Sequence, residues 1–294
     1  MTITPYVPQL LAVVAALAFA LSNHLQSAGL TGGADMRSAV LVNIVTGATV
    51  YWLASPFYLE WTDFETRAAL LFALVGVFRP PLSMTFSMLS IRTMGPTLAS
   101  AFASTAPMFA TAFGIVLLGE TLTWPVAIGT ALIVAGAVIA TLKPAGLKRD
   151  WPIWAIGLPL LTAAMRAGAQ GITKIGLEDV PNALFASLLG YSVGACVVAI
   201  LFVIQQRQFT GTWMQHKWFV LAGLCSSFGI LCLNTALKLG TLLTVSPIVA
   251  VSPVFALMLS VLVFRRERVT ARTIGAIALV VPGVILLVVL GRTP

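Results

Sequence analysis

Two stretches of the 294-residue chain decide the fold when they are aligned. Residues 103–136 read ASTAPMFATAFGIVLLGETLTWPVAIGTALIVAG, and residues 249–283 read VAVSPVFALMLSVLVFRRERVTARTIGAIALVVPG. The alignment pairs four residues of different chemistry: Pro107 with Pro253, Glu120 with Glu267, Thr123 with Thr270, and Gly136 with Gly283. The last three pairs share an offset of 147 residues, and the tripeptide at 90–92 matches that at 236–238 at an offset of 146. The recurrence predicts a duplicated unit.

Both stretches are strongly apolar, and so is the rest of the chain. Hydrophobic residues make up 59% of the sequence and charged residues only 9%, and the mean hydropathy is +1.00. A soluble domain cannot bury that much apolar surface. The composition therefore predicts an integral membrane protein, in which the net charge of +8 reflects basic turns and membrane topology and does not indicate nucleic-acid binding.

Apolar runs bounded by charges predict all-α architecture with ten transmembrane helices. The run Val284–Leu290 does not alternate apolar with polar residues as a membrane β-strand would. An odd number of spans per repeat inverts the second copy, so we expect two inverted five-helix repeats at residues 1–147 and 148–294. The predicted spans are 7–29, 38–58, 68–90, 96–118, 124–142, 152–174, 182–204, 218–237, 242–264 and 273–290.

The distribution of basic residues predicts the orientation. No Lys or Arg precedes Arg37, so the first apolar run lacks the basic start of a cleaved signal peptide and is predicted to be a mature helix. Eleven basic residues fall in the turns opposite the termini and four on the terminal side. The positive-inside rule then puts both termini outside the cytoplasm, in what we expect to be a bacterial inner (cell) membrane.

Ionisable side chains inside the membrane are costly and often mark a transport pathway. Arg79 falls in the middle of the third span, where Pro80 and Pro81 predict a break or kink. Its guanidinium either binds substrate or holds carbonyls freed by the prolines. Arg166 of the sixth span either lines the same site or extends toward the surface near Lys174.

His24, in the first span, is either a hydrogen-bonded packing residue or a proton relay. It is flanked by Asn23, and the repeat register makes Gln170 the equivalent residue of the second copy. Each neutral polar residue inside a span is either a cavity residue or a contact between helices. The neutral residues predicted to bind substrate are Asn23, Asn43, Gln170, Tyr191, Asn234 and Ser252.

No Asp or Glu falls within a predicted span. A site with two guanidinium groups and no carboxylate favours a substrate that carries a carboxylate or phosphate, because arginine binds these groups through two parallel hydrogen bonds. The sequence has no H-E-x-x-H, Walker A or G-x-S-x-G motif, and its two histidines are far apart. We therefore predict no enzyme activity, no metal site and no cofactor.

The A-P-x-F stretch leading to V-L-L-G-E-T-L-T, matched by S-P-V-F leading to R-R-E-R-V-T, resembles the drug/metabolite transporter superfamily, specifically its ten-helix members with paired EamA-type domains. The resemblance covers essentially the whole chain and implies a carrier. The second copy departs from it with one extra residue before Glu267, and the turn at 60–65 is acidic where many relatives are basic. The resemblance implies cytoplasmic termini, in conflict with the charge distribution.

Together these features predict a secondary-active carrier or exporter of a small carboxylate-bearing or zwitterionic metabolite, such as an amino acid, working by alternating access. The expected partners are this metabolite, the lipid bilayer, and protons or a counter-substrate; the carrier is a monomer or homodimer. The alternatives are uptake of a neutral or planar nutrient such as riboflavin, and a non-transporting scaffold or channel. The predicted hinges are Pro80, Pro81, Pro107 and Pro253.

Overall fold

The structure is a computed structural model that describes residues 6–30, 35–94, 96–141, 152–205, 212–262 and 271–291. These residues form helices joined by turns, without a strand, as predicted. Short 3-10 turns lie at Ser55–Phe57, Trp61–Glu65 and Ile153–Ile156. The α-helices are α1 (Val7–Leu30), α2 (Met36–Ala54), α3 (Arg67–Val77), α4 (Ser83–Met94), α5 (Pro96–Ala103), α6 (Ala106–Leu118), α7 (Trp124–Thr141), α8 (Gly157–Asp179), α9 (Ala183–Ile204), α10 (Trp213–Leu239), α11 (Leu242–Val249), α12 (Ser252–Leu262) and α13 (Ala271–Val289).

Six described stretches are long and apolar enough to cross a bilayer, which takes about 20 residues. They are Val7–Leu30, Met36–Phe57, Leu98–Leu118, Ala183–Ile204, Trp213–Leu239 and Leu242–Val261. Three further apolar helices, Arg67–Val77, Trp124–Ala140 and Thr273–Val289, are shorter. The structure thus supports a multi-pass membrane protein, and the count of ten spans stays a prediction.

Two of the long stretches are interrupted at equivalent places. α5 ends at Ala103 and α6 begins at Ala106, while α11 ends at Val249 and α12 begins at Ser252. Pro107 and Pro253 are the second residues of the helices that follow, where a missing amide donor costs little. Because the two breaks are 146 residues apart, the repeat seen in the sequence is also present in the backbone.

A third break has no counterpart in the other half. The π-helical segment Phe78–Leu82 joins α3 to α4, and Arg79 within it has non-helical dihedral angles, φ −123° and ψ 121°. The break predicted from Arg79-Pro80-Pro81 is confirmed. At the equivalent place in the second half, α10 is continuous from Trp213 to Leu239.

Most of the extensive helix contacts join the two halves of the chain. In the repeat, α1 is equivalent to α8, α2 to α9, and the pair α3 and α4 to the continuous α10. α1 packs on α10, and its equivalent α8 packs on α3 and α4. α2 also packs on α10, and its equivalent α9 packs on α3. The pairs α2–α9 and α7–α13 join equivalent helices. Exchanging the halves leaves this contact pattern unchanged. Between α7 and α13 a Cβ atom on Gly283 would lie 2.9 Å from the carbonyl oxygen of Gly129, so small residues allow close approach of the backbones.

Two charged side chains hold the junction between α10 and α11. Lys174 of α8 donates from Nζ to the carbonyl oxygens of Leu237 and Gly240, both at 2.9 Å. Glu120, which follows α6, accepts from the amides of Leu242 at 2.7 Å and Leu243 at 2.9 Å. A cation thus lies at a helix C-terminus and an anion at a helix N-terminus, the arrangement that the helix dipole favours.

Candidate functional site

A cavity of about 280 Å³ lies where the broken helices meet α8. Its lining comes from six helices and is mostly small or polar. The lining residues are Ser87, Ile91, Ala99, Ser100, Ala103, Ser104, Ala106, Arg166, Gln170, Ser246, Val249, Ala250, Ser252 and Pro253. Much of this wall is made by equivalent positions of the two repeats, since Ser100 and Ser246, like Ala106 and Ser252, are 146 residues apart.

α8 supplies the only charged group among these lining residues. Arg166 and Gln170 are four residues apart and therefore lie on one helix face, while Ala163 and Ala167 on another face are buried in the bundle. Small residues at these positions let α8 approach its neighbours closely. Arg166 has no carboxylate partner among the described residues, and its exposed side chain is part of the cavity lining.

Gln170 is a buried amide in the lining of the cavity. The residue is only 8% exposed, yet Oε1 has no hydrogen-bond partner among the residues that the structure describes. A buried amide oxygen without a donor costs free energy. The oxygen therefore needs a donor that the described part of the chain does not supply.

Arg79 lies near this cavity but is not part of its lining. It is half-buried at the helix break and lies near both Tyr191 and the like-charged Arg166. The backbone of the break packs against α9, where a Cβ atom on Gly194 would lie 3.2 Å from the Arg79 carbonyl oxygen. The structure thus brings the two predicted arginines into one region, with Arg166 facing the cavity.

A second polar cluster lies next to Arg79. Tyr191 Oη donates to Ser226 Oγ at 3.5 Å, and Ser226 Oγ donates to Asn43 Oδ1 at 2.9 Å. The ring of Tyr191 packs against that of Tyr51, with 5.4 Å between centroids. Because a Cβ atom on Gly47 would collide with Tyr191, this glycine leaves the room that the ring occupies.

Three other predicted site residues lie outside the cavity lining. His24 Nε2 lies 2.7 Å from the carbonyl oxygen of Ala256, which ties α1 to α12. Asn234 Nδ2 donates to Ser187 Oγ at 2.9 Å and links α10 to α9. Asn23 is exposed. Of the predicted substrate-binding residues, the structure places Arg166, Gln170 and Ser252 in the cavity.

Sequence reasoning missed Ser246, Ser100 and Ser87, which line the cavity. The repeat offset could have identified the first two together, because Ser246 corresponds to Ser100. Ser87 has no comparable signal in the sequence. Within the described ranges, no three His, Cys, Asp or Glu residues gather in a way that could hold a metal ion.

A multi-pass helical bundle with a polar cavity between its helices fits the class of membrane transporters. The sequence profile of the EamA-like transporter family matches residues 7–142 and 153–289. The chain therefore belongs to the EamA-like transporter family, within the drug/metabolite transporter superfamily. The predicted family is confirmed, and it is a family of transporters rather than of enzymes.

The fold is shared with a solved structure described only as "Crystal structure of protein". The two are 17% identical, the match covers 97% of each chain, and the TM-score is 0.80. At that identity the likeness concerns the fold. No curated protein matches the sequence.

Proposed function

We propose that the chain is a secondary-active carrier for a small carboxylate-bearing or zwitterionic metabolite, with amino acids the plainest case. The observation that carries the proposal is the cavity containing Arg166 and the unpartnered Gln170 oxygen. A guanidinium binds a carboxylate through two parallel hydrogen bonds. An amide oxygen accepts from an ammonium or hydroxyl group. Together they fit the two ends of a zwitterion.

The size and lining of the cavity favour this substrate class over a planar nutrient such as riboflavin. At about 280 Å³ the cavity lies at the small end of ligand sites, which span about 300–1,000 Å³. None of its described lining residues is aromatic, so the cavity offers no surface on which a planar ring system would stack. The alternative of riboflavin uptake is therefore the weaker one.

Alternating access would come from two inverted five-helix repeats of a ten-span bundle, with the division near residue 147. That boundary lies outside the described residues. The contact pattern that survives exchange of the halves supports this arrangement. The helix breaks near Pro80, Pro81, Pro107 and Pro253 lie beside or in the cavity wall and would serve as hinges. In this topology the basic turns face the cytoplasm and the termini face outward.

Counterflow in reconstituted vesicles tests the proposed function. Vesicles loaded with an unlabelled amino acid should accumulate the labelled form transiently, and riboflavin should neither exchange nor compete. Protein-free vesicles are the control. A steady ohmic current without counterflow would indicate a channel, and riboflavin exchange without amino-acid exchange would establish the alternative carrier.

The substitution Gln170→Leu should separate binding from folding. Because the Gln170 oxygen has no partner, we expect the unfolding midpoint to stay equal or rise, while counterflow falls about tenfold from the loss of one ligand bond worth roughly 1.5 kcal/mol. Asn234→Leu is the matched control, since it removes a buried amide that bonds Ser187 and should lower the midpoint. Equal destabilisation by both substitutions would make Gln170 a structural residue.

A further inference from the structure

A second cavity, of about 240 Å³, lies on the other side of α4 from the candidate site. It is enclosed by α2, α4 and α9. Thr85, Leu89 and Arg92 of α4 face it, whereas Ser87 and Ile91 of the same helix face the first cavity. The two cavities are thus distinct, with one helix as the wall between them. We name the second one the α2–α4–α9 groove.

The groove is polar at one end. Arg37 lies in the first turn of α2, Arg92 in the last turn of α4, and Gln205 directly after α9. Arg37 donates a hydrogen bond from Nη1 to Gln205 Oε1. Arg92 has no hydrogen-bond or carboxylate partner among the described residues. The three helix ends thus present two guanidinium groups around one opening.

Apart from Thr85, whose hydroxyl donates to the Pro81 carbonyl oxygen, the rest of the groove is apolar and follows the helix axes. Val198, Leu201 and Gln205 recur on one face of α9, with Phe202 beside them, and Thr85, Leu89 and Arg92 recur on one face of α4. Val198 lies seven positions from Gln205, and Thr85 lies seven positions from Arg92. Seven residues span about 10 Å along a helix at 1.5 Å per residue. A mostly apolar groove of about that length runs from the arginines toward the helix break, where Pro81 is part of its lining.

From this arrangement we infer that the α2–α4–α9 groove binds an anionic phospholipid, with the phosphate on Arg37 and Arg92 and an acyl chain along Val198 and Leu89. Guanidinium groups bind phosphate oxygens through paired hydrogen bonds, and basic pockets between transmembrane helices hold anionic headgroups. A soluble anion would use only the polar end. The apolar lining matches a ligand that carries its own hydrocarbon.

Lipid binding to the purified full-length protein tests the inference. Native mass spectrometry would follow titration with phosphatidylglycerol, phosphatidylcholine and inorganic phosphate. For the double variant Arg37→Gln/Arg92→Gln we expect the dissociation constant for phosphatidylglycerol to rise about tenfold or more, and that for phosphatidylcholine, whose choline group offsets the phosphate charge, to change less. Arg67→Gln is the matched control, because Arg67 is an exposed arginine at the start of α3, outside the groove.

A second variant distinguishes lipid from a soluble anion. Val198→Trp fills the apolar part of the groove and leaves both arginines in place, so it should weaken phosphatidylglycerol binding and leave any binding of inorganic phosphate unchanged. Equal phosphatidylglycerol affinity in the double variant and in Arg67→Gln would overturn the inference. Displacement of phosphatidylglycerol by inorganic phosphate, with Val198→Trp binding normally, would also overturn it in favour of a soluble-anion site.

Discussion

Replacing Arg166 by glutamine is expected to lower counterflow of a carboxylate substrate about a hundredfold. The guanidinium is the only charged group among the described cavity lining, and no described carboxylate neutralises it. A hydrogen bond to a charged group contributes about 1.5–3 kcal/mol. A hundredfold change in affinity corresponds to roughly 2.8 kcal/mol, and the loss of two such bonds to a carboxylate accounts for it.

The loss of counterflow in Arg166→Gln should not be accompanied by a fall in the unfolding midpoint. Arg166 lines the cavity with an exposed side chain and has no carboxylate partner among the described residues, so its replacement removes no buried contact and we expect the unfolding midpoint of Arg166→Gln to equal that of the wild type. Arg166→Lys keeps the charge without the planar fork and should lose only about tenfold. Counterflow at the wild-type rate in Arg166→Gln would rule out the carboxylate site, as would a loss of transport that tracks a fall in the midpoint.

The two arginines illustrate what the sequence could predict and what it could not. Their position inside spans, their isolation from acids and the break at Pro80-Pro81 all follow from local sequence. Which of the two arginines lines the cavity does not follow from local sequence, because it depends on neighbours far along the chain. Arg166 faces the cavity, whereas the Arg79 segment packs on Gly194 of α9.

His24 shows the same limit of prediction from local sequence. Its place in an apolar span left packing and proton transfer as alternatives, and its hydrogen-bond partner, the carbonyl group of Ala256, is 232 residues away in the chain. No spacing rule connects these two residues. The helix breaks before Pro107 and Pro253 are different, because proline acts on its own backbone and the repeat offset relates one break to the other.

Glu120 was predicted only as a turn residue, and the structure gives it a partner in the other half of the chain. Its two carboxylate oxygens accept from consecutive amides at the start of α11. Gly114 makes the approach possible, since a Cβ atom there would collide with Leu243 and lie 3.1 Å from Glu120 Oε2. Leu242 and Leu243 are both buried, so water is not a ready substitute for the carboxylate.

The substitution Glu120→Ala is therefore expected to destabilise the protein by about 3 kcal/mol, because two buried amides lose a charged acceptor. For a chain of this size we expect the unfolding midpoint to fall by roughly 5 °C, measured by thermal unfolding in detergent. Glu120→Gln keeps one acceptor oxygen, so its unfolding midpoint should lie between those of the alanine variant and the wild type. Glu60→Ala, at an exposed acid with no side-chain cap bond, should leave the midpoint unchanged. Equal midpoints for Glu120→Ala and Glu60→Ala would mean that the start of α11 is held by its apolar packing rather than by the carboxylate.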